Sequence, residues 1–265
     1  INMKFHFNKK SGFTLIELLT TVAVIGVLAA LLLPALSRAR SQAQSTACKN
    51  HLHQMGVALQ MYVHDNENKY PHYLGPAGDA HGDETPDRGK AKGLVYWSSK
   101  LSPYYMSIWT NTAYHCPGYK GIIRGPYKDQ INRLGSYAYN VHGVRSGKTY
   151  NAWGLGPISF WMKTPTTYVP AVSEADVKVP SEMLAMGDSL MKAGDAAGRD
   201  YWECNPATSS GRAALPYALR HGKSYNVLFC DGHVAEMLPE VLFDPAKTAA
   251  MWNYDHEPHP EVWSP

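Results

Sequence analysis

Between positions 13 and 36 nearly every residue is apolar; Thr14, Thr20 and Thr21 are mild interruptions and Glu17 is the strong one. No charge falls between Leu18 and Leu33. A helix rises about 1.5 Å per residue, so some 20 residues cross a hydrocarbon core of roughly 30 Å. Residues 13–36 therefore predict a membrane-spanning helix. Beyond them Leu36, Ala39, Ala43, Ala47, Leu52, Met55, Leu59 and Tyr62 recur at helical spacing and define a single apolar face. The pattern predicts one helix over about 14–63, apolar all round in its first half and one-sided in its second. Pro34 falls at the junction and is expected to kink or loosen the helix there. The polar "HDNENK" and Pro71 stop it.

The rest of the chain reads as strands and loops. Positions 75–92 have no apolar period and predict a loop. "GLVYW" reads as a short strand or turn, "YHCPGYKG" as a Cys-Pro turn, and "LGSYAYNVHGV" and "SEMLAMGDS" as strands. Positions 146–180 show no clear period, and 190–220 are loop-like. "SYNVLFCDGHVAEML" predicts a hairpin. A two-residue Asp231-Gly232 loop of type I′ would set Cys230 opposite His233 and Leu228 opposite Ala235. The expected class is α+β: a long amino-terminal helix packed on an antiparallel β-sheet with long loop insertions.

With 265 residues the chain is long enough to bury a core. Lys and Arg are scattered and the net charge is only +3, so no nucleic-acid-binding stripe is expected. Cys48, Cys116, Cys204 and Cys230 form no CxxC, which argues against a zinc ribbon or a thioredoxin-type motif. Two disulfides in an exported domain and four buried free thiols are both compatible with that number. The histidines show neither HExxH nor paired helical spacing, and they read as scattered surface residues with no metal site. "DNEN" at 65–68 lacks the Gly and terminal Glu of a calcium loop. His221 and Asp231 invite a catalytic reading, yet along a strand they lie up to about 33 Å apart. The reading is structural: Asp231 for the turn, His221 for the strand entry, with no catalytic residue and no cofactor. The seven tryptophans read as core or interface, with a polysaccharide-stacking platform as the other possibility.

Glu17 remains. A carboxylate within a membrane span is a functional hypothesis by default and needs a partner. A cut between Gly12 and Phe13 would create an amine one helical turn before it. Here "KKSGFTLIELLTTVAVIGVLAALLLPAL" resembles the leader and amino-terminal helix of type IV prepilins and type II secretion pseudopilins. The resemblance implies a cytoplasmic leader over 1–12, cleavage after Gly12 by a prepilin peptidase, and methylation of Phe13. It implies a transmembrane half over 13–36 and an exported pilin-like domain over 37–265. It also implies that Glu17 pairs with the amine of a neighbouring subunit during assembly. Arg38 and Arg40 just beyond the span run against the positive-inside bias, so orientation rests on this resemblance.

A second resemblance lies at the carboxyl end, where "LRHGKSYNVLFCDGHV" is similar to the H-x9-DG signature of a large prepilin-type group, carried by His221, Asp231 and Gly232. The group pattern also implies a Cys48–Cys116 pair, with Cys204–Cys230 second. The implied protein is a non-enzymatic filament subunit, held in the inner membrane by one span and assembled with like subunits or other pilins. The alternative is a membrane-anchored surface or periplasmic protein whose head binds polysaccharide or another ligand.

Overall fold

The structure is a computed structural model of the chain; it describes residues 12–76, 94–105, 109, 111–123, 135–144, 153–157, 170–190, 201–204, 220–221 and 224–262. Helix α1 spans Leu15–Asp65 and runs through Pro34. Its amino-terminal part is long and apolar enough to cross a membrane, and none of that apolar window is buried within the chain. Two compact units divide within this helix, one comprising residues 1–42 and the other 43–265.

The helix start is built by its own sequence. Thr14 is the N-cap and Glu17 the third helical residue, the T-x-x-E spacing of a capping box. The Thr14 N–H donates to Glu17 Oε2 at 2.9 Å, the Thr14 hydroxyl donates to the same oxygen at 2.7 Å, and the Glu17 N–H donates back to Thr14 Oγ1 at 3.3 Å.

In the larger unit, α1 contributes Ser45, Cys48, Leu52, Met55, Gly56, Ala58, Leu59, Tyr62 and Val63 to the interior. The one-sided face thus starts at Ser45 rather than at Leu36, which is 66% exposed. Leu36, Ala39 and Ala43 share the helical period but are exposed.

A five-stranded sheet carries the unit, in the order β5-β3-β4-β6-β7. The strands are β3 (Tyr137–Val144), β4 (Leu184–Asp188), β5 (Tyr201–Cys204), β6 (Tyr225–Phe229) and β7 (Val234–Met237). The β3–β4, β4–β6 and β6–β7 pairs are antiparallel, as expected. β5 pairs parallel to β3 at the edge, and it lies inside the stretch that sequence read as loop. Two short strands, β1 (Leu74–Pro76) and β2 (Leu94–Tyr96), form a separate antiparallel ladder. Most of the loop expected at 75–92 falls outside the described residues.

Every residue of β3 and β4 is buried. Alternate side chains go to two cores: Tyr137, Tyr139 and Val141 join the α1 side with Leu52, Met55 and Leu59, whereas Ala138 and Val144 join Val227, Leu242, Phe243 and Trp252. The second core is closed by short helices at Pro239–Leu242 and Pro245–Thr248, each with a proline in its first turn. A sheet covered on both faces loses the inside–outside alternation that makes a half-exposed strand legible.

The hairpin forms with its register one residue away from the expected one. Leu228 faces Val234 and Val227 faces Ala235. The Gly232 N–H donates to the Phe229 carbonyl at 3.0 Å and Gly232 has φ +91°, while Asp231 keeps an ordinary φ. The connection is therefore a three-residue loop ending in a left-handed glycine, not a two-residue type I′ turn. Asp231 Oδ1 accepts the His233 N–H at 3.1 Å, which tightens the same loop.

At Gly143, φ is +67°, and an added Cβ would come within 2.5 Å of Asn253 Oδ1 and 2.8 Å of the Gly154 backbone nitrogen. Asn253 Oδ1 is held there by the Val144 N–H at 2.8 Å. Gly143→Ala is expected to cost about 2–3 kcal/mol, from strained backbone plus a clash with backbone that cannot swing away. Gly232→Ala, with nothing within 4 Å, should cost only the left-handed penalty, about 1–2 kcal/mol. Thermal melting of the two variants checks this; equal losses would discard the steric argument.

Candidate functional site

Two places carry chemistry. The first is the Thr14–Glu17 cap, which sets a carboxylate in the first turn of an otherwise uncharged, apolar helix start. Gly12 and Phe13 immediately precede it, and both are exposed. Two hydrogen bonds from Thr14 occupy Oε2, and a carboxylate has room for further donors on its two oxygens.

The second is buried. Cys48 on α1, Cys116 in the turn that follows a 3-10 segment at Thr112–Tyr114, Asp188 at the end of β4, and His221 just before β6 converge. One ligand-type atom from each lies within 4.8 Å of all the others, and all four residues are buried. His221 Nε2 is 3.2 Å from Cys116 Sγ and 3.5 Å from Asp188 Oδ2. Cys48 Sγ donates to Asp188 Oδ1 at 3.3 Å. Each placement has a local cause. Ser136 Oγ accepts the Cys116 N–H at 2.8 Å and so holds the Cys-Pro turn against β3. His221 bridges to Ser224 at the entry of β6. Asp188 is held by the Asn226 N–H on Oδ2 at 2.8 Å and by Arg220 Nη1 on Oδ1 at 3.2 Å.

The charges follow from these contacts. Burial raises the Cys48 thiol well above its usual range, with Cys116 and Asp188 acting the same way. The hydrogen bond from Cys48 draws Cys116 down to about 5, against burial and with help from His221. Burial opposes charge on His221, yet its hydrogen bonds to Asp188 and Cys116 raise it to about 9. Asp188 is lowered although burial works the other way, because His221 and Arg220 both stabilise the carboxylate.

A thiolate beside an imidazolium suggests a nucleophilic cysteine, but the geometry does not support one. In a triad the acid orients the ring through the nitrogen opposite the nucleophile. Here Cys116 and Asp188 both meet Nε2, and Nδ1 has no hydrogen-bond partner among the described residues. Cys116 is also only 3% exposed, so a substrate would have no approach.

The residues that the carboxyl-terminal resemblance singles out lie in two different places. His221 faces Cys116 and Asp188, whereas Asp231 pairs with His233 Nδ1 at 2.6 Å on the surface. All four cysteines are free thiols, and Cys48 and Cys116 are the two that stand side by side. Asp188 gives no site signal in the sequence, because it is one polar position ending an apolar strand, with no spacing rule tying it to the others. Trp97, Trp109 and Trp252 are buried, with Trp97 stacked on Tyr139 at 5.3 Å, so they form core rather than a stacking platform. Trp161 and Trp263 fall outside the described residues.

Residues 7–33 match the sequence family described as the prokaryotic N-terminal methylation motif. Over 58 residues the chain is 41% identical to type II secretion system core protein G of Pseudomonas aeruginosa, a match covering 22% of this chain and 41% of that protein. Over 57 residues it is 44% identical to the type IV wide pilus major component of Thermus thermophilus, covering 22% and 44%. Type II secretion system core protein G of Aeromonas hydrophila is 35% identical over 63 residues, covering 24% and 43%. The chain spans less than half the length of the curated relatives it matches. No solved structure matches it.

Proposed function

We propose that this chain is a structural subunit of a type IV pilus-like or type II secretion pseudopilus filament, processed by a prepilin peptidase after Gly12 and methylated at Phe13. In this reading one span, residues 13–36, holds it in the inner membrane with the globular part exported, and α1 then packs against neighbouring subunits. The observation that carries the reading is the Thr14–Glu17 cap at the start of an exposed apolar helix, within the residues that match the methylation motif. The cap aims the only acid of the apolar stretch at the helix end where cleavage would place an amine. A membrane helix with its acid so placed has a ready counter-charge after processing and an unmet cost before it.

The test is mass spectrometry of the mature amino terminus in native membranes and in material sheared from cells. A methylated peptide beginning at Phe13, present in the sheared fraction, is the expected result. A chain in both fractions that still carries Lys9, Lys10 and Gly12 would refute processing and, with it, this reading.

A further inference from the structure

We propose that Cys48, Cys116, Asp188 and His221 form a structural zinc site. The spacing carries the argument. A tetrahedral zinc ion with bonds of about 2.0–2.3 Å sets its ligand atoms roughly 3.3–3.8 Å apart. His221 Nε2 stands 3.2 Å from Cys116 Sγ and 3.5 Å from Asp188 Oδ2, and Cys48 Sγ stands 3.3 Å from the other carboxylate oxygen, Oδ1. All six separations lie within 4.8 Å, so closing the four atoms around an ion asks for a contraction of at most about 1 Å between the most distant pair.

The donor chemistry selects the metal. Two thiolates, an imidazole and a carboxylate suit zinc and are too soft a set for calcium or magnesium. Four protein ligands fill a tetrahedron and leave no open position, so the ion would be structural rather than catalytic. The surroundings act as the outer shell of such a site. Arg220 and the Asn226 N–H fix the carboxylate, the Tyr137 hydroxyl donates to Cys48 Sγ at 3.5 Å, and Ser136 holds the backbone of Cys116. Ligation through Nε2 of His221 also defines its tautomer, with the proton on Nδ1, where no neighbour among the described residues sets it.

The charges balance. Two thiolates, one carboxylate, the Arg220 guanidinium and a divalent ion sum to zero in a buried space. Uptake of one Zn²⁺ forms four metal–ligand bonds, and each proton that Cys48, Cys116 and the coordinating His221 nitrogen carry beforehand is released to solvent. No bond is oxidised or reduced.

Such an ion would join four segments far apart in sequence: α1, the Cys-Pro turn, the end of β4 and the entry to β6. It would tie the helix that anchors the chain to the sheet that it covers. It also gives the His221 of the carboxyl-terminal signature a role distinct from that of Asp231. This inference stands apart from the filament reading, because it is read by metal content and not by assembly.

The experiment uses the full chain, purified without a histidine tag in detergent and under reducing conditions. About one zinc per chain is expected by elemental analysis, retained through gel filtration. Replacement by Co²⁺ should give thiolate-to-cobalt charge-transfer absorption and the visible bands of tetrahedral cobalt. Cys116→Ser and His221→Asn should each lose most of the metal, and His233→Asn should keep it. Should those variants fail to fold, chelator-stripped wild-type chain titrated with Co²⁺ gives the same readout. A reduced, folded chain that takes up neither ion overturns the proposal. So does zinc that stays on both ligand variants, or a Cys48–Cys116 disulfide in protein isolated from native membranes.

Discussion

Replacing Asp188 with Asn is expected to destabilise the chain by about 3–5 kcal/mol, among the largest effects of any single substitution outside the apolar core. The side chain of Asp188 is 1% exposed and that of its partner Arg220 is 6% exposed. Asn keeps the size and removes the charge, which leaves a buried guanidinium without its carboxylate. Breaking one half of a buried ion pair costs far more than the pair contributes, because the remaining charge has lost its water as well. The same carboxylate accepts the Asn226 N–H and thereby fixes β6 against β4. For a unit of this size the loss corresponds to roughly 8–15 °C in melting temperature. Lys49–Glu236 provides the contrast: at 2.7 Å it is shorter than the Asp188–Arg220 contact, but both side chains are more than a third exposed. Glu236→Ala should therefore cost no more than about 1 kcal/mol. Melting of the detergent-solubilised chain, with and without a chelator, separates the two contributions of Asp188. The charge effect persists in chelator, whereas any contribution through a metal disappears there. Arg220→Met on top of Asp188→Asn should recover much of the loss. A Glu236→Ala effect as large as that of Asp188→Asn would show that burial is not what sets the scale.

The second large effect is expected at Glu17, and it separates two roles that coincide in one side chain. As the third helical residue it closes a capping box, a contribution of about 1 kcal/mol. As a carboxylate near the start of a span it carries a charge whose unpaired cost reaches about 2.5–3.5 kcal/mol toward mid-bilayer. Glutamine completes the same capping box but has no charge to offer an amine. If charge pairing drives assembly, Glu17→Gln should be stable in the membrane and normally processed at Gly12. It should nevertheless fall at least about tenfold in the sheared fraction, since a lost interaction of 1.4 kcal/mol per contact already gives that factor. Glu17→Ala should assemble no better and should also fray the helix start. Quantitative immunoblotting of membrane and sheared fractions reads both. Wild-type levels of sheared Glu17→Gln would reduce Glu17 to a cap and remove the strongest support for the filament.

What is legible in the sequence is local. Apolar residues crowd 13–36 over a length that suffices to cross a membrane, and the helical period beyond Leu52 persists because α1 covers a sheet. Both signals lie within a few turns of chain, and the helix ends within two residues of where they place it. The turn chemistry of Asp231-Gly232 announced a hairpin for the same reason. Its register was decided elsewhere, by Leu228 facing α1 and Val227 and Phe229 facing the second core, which leaves room for a three-residue loop. The onset of the buried face was also not local: Leu36 and Ser45 differ in what surrounds them, not in their place on the helical period. β5 leaves no signal in the sequence because a short edge strand needs only the hydrogen bonds of β3 to exist, and that partner lies far back in the sequence.

The buried cluster is the clearest case. Cys48 and Asp188 lie 140 residues apart and Cys116 and His221 lie 105 apart, and no spacing pattern reaches that far. Each residue taken alone reads as an ordinary buried thiol, a strand end or a scattered histidine. Only the closing of α1 over β3, β4 and β6 sets their four atoms within 4.8 Å of one another. The sequence by itself determined that this protein has a helix able to span a membrane, with an acid poised at its start, because lipid and the helix cap act over neighbouring residues. The tertiary structure alone decided which cysteines, which histidine and which carboxylate share a space, because that outcome depends on how distant surfaces pack.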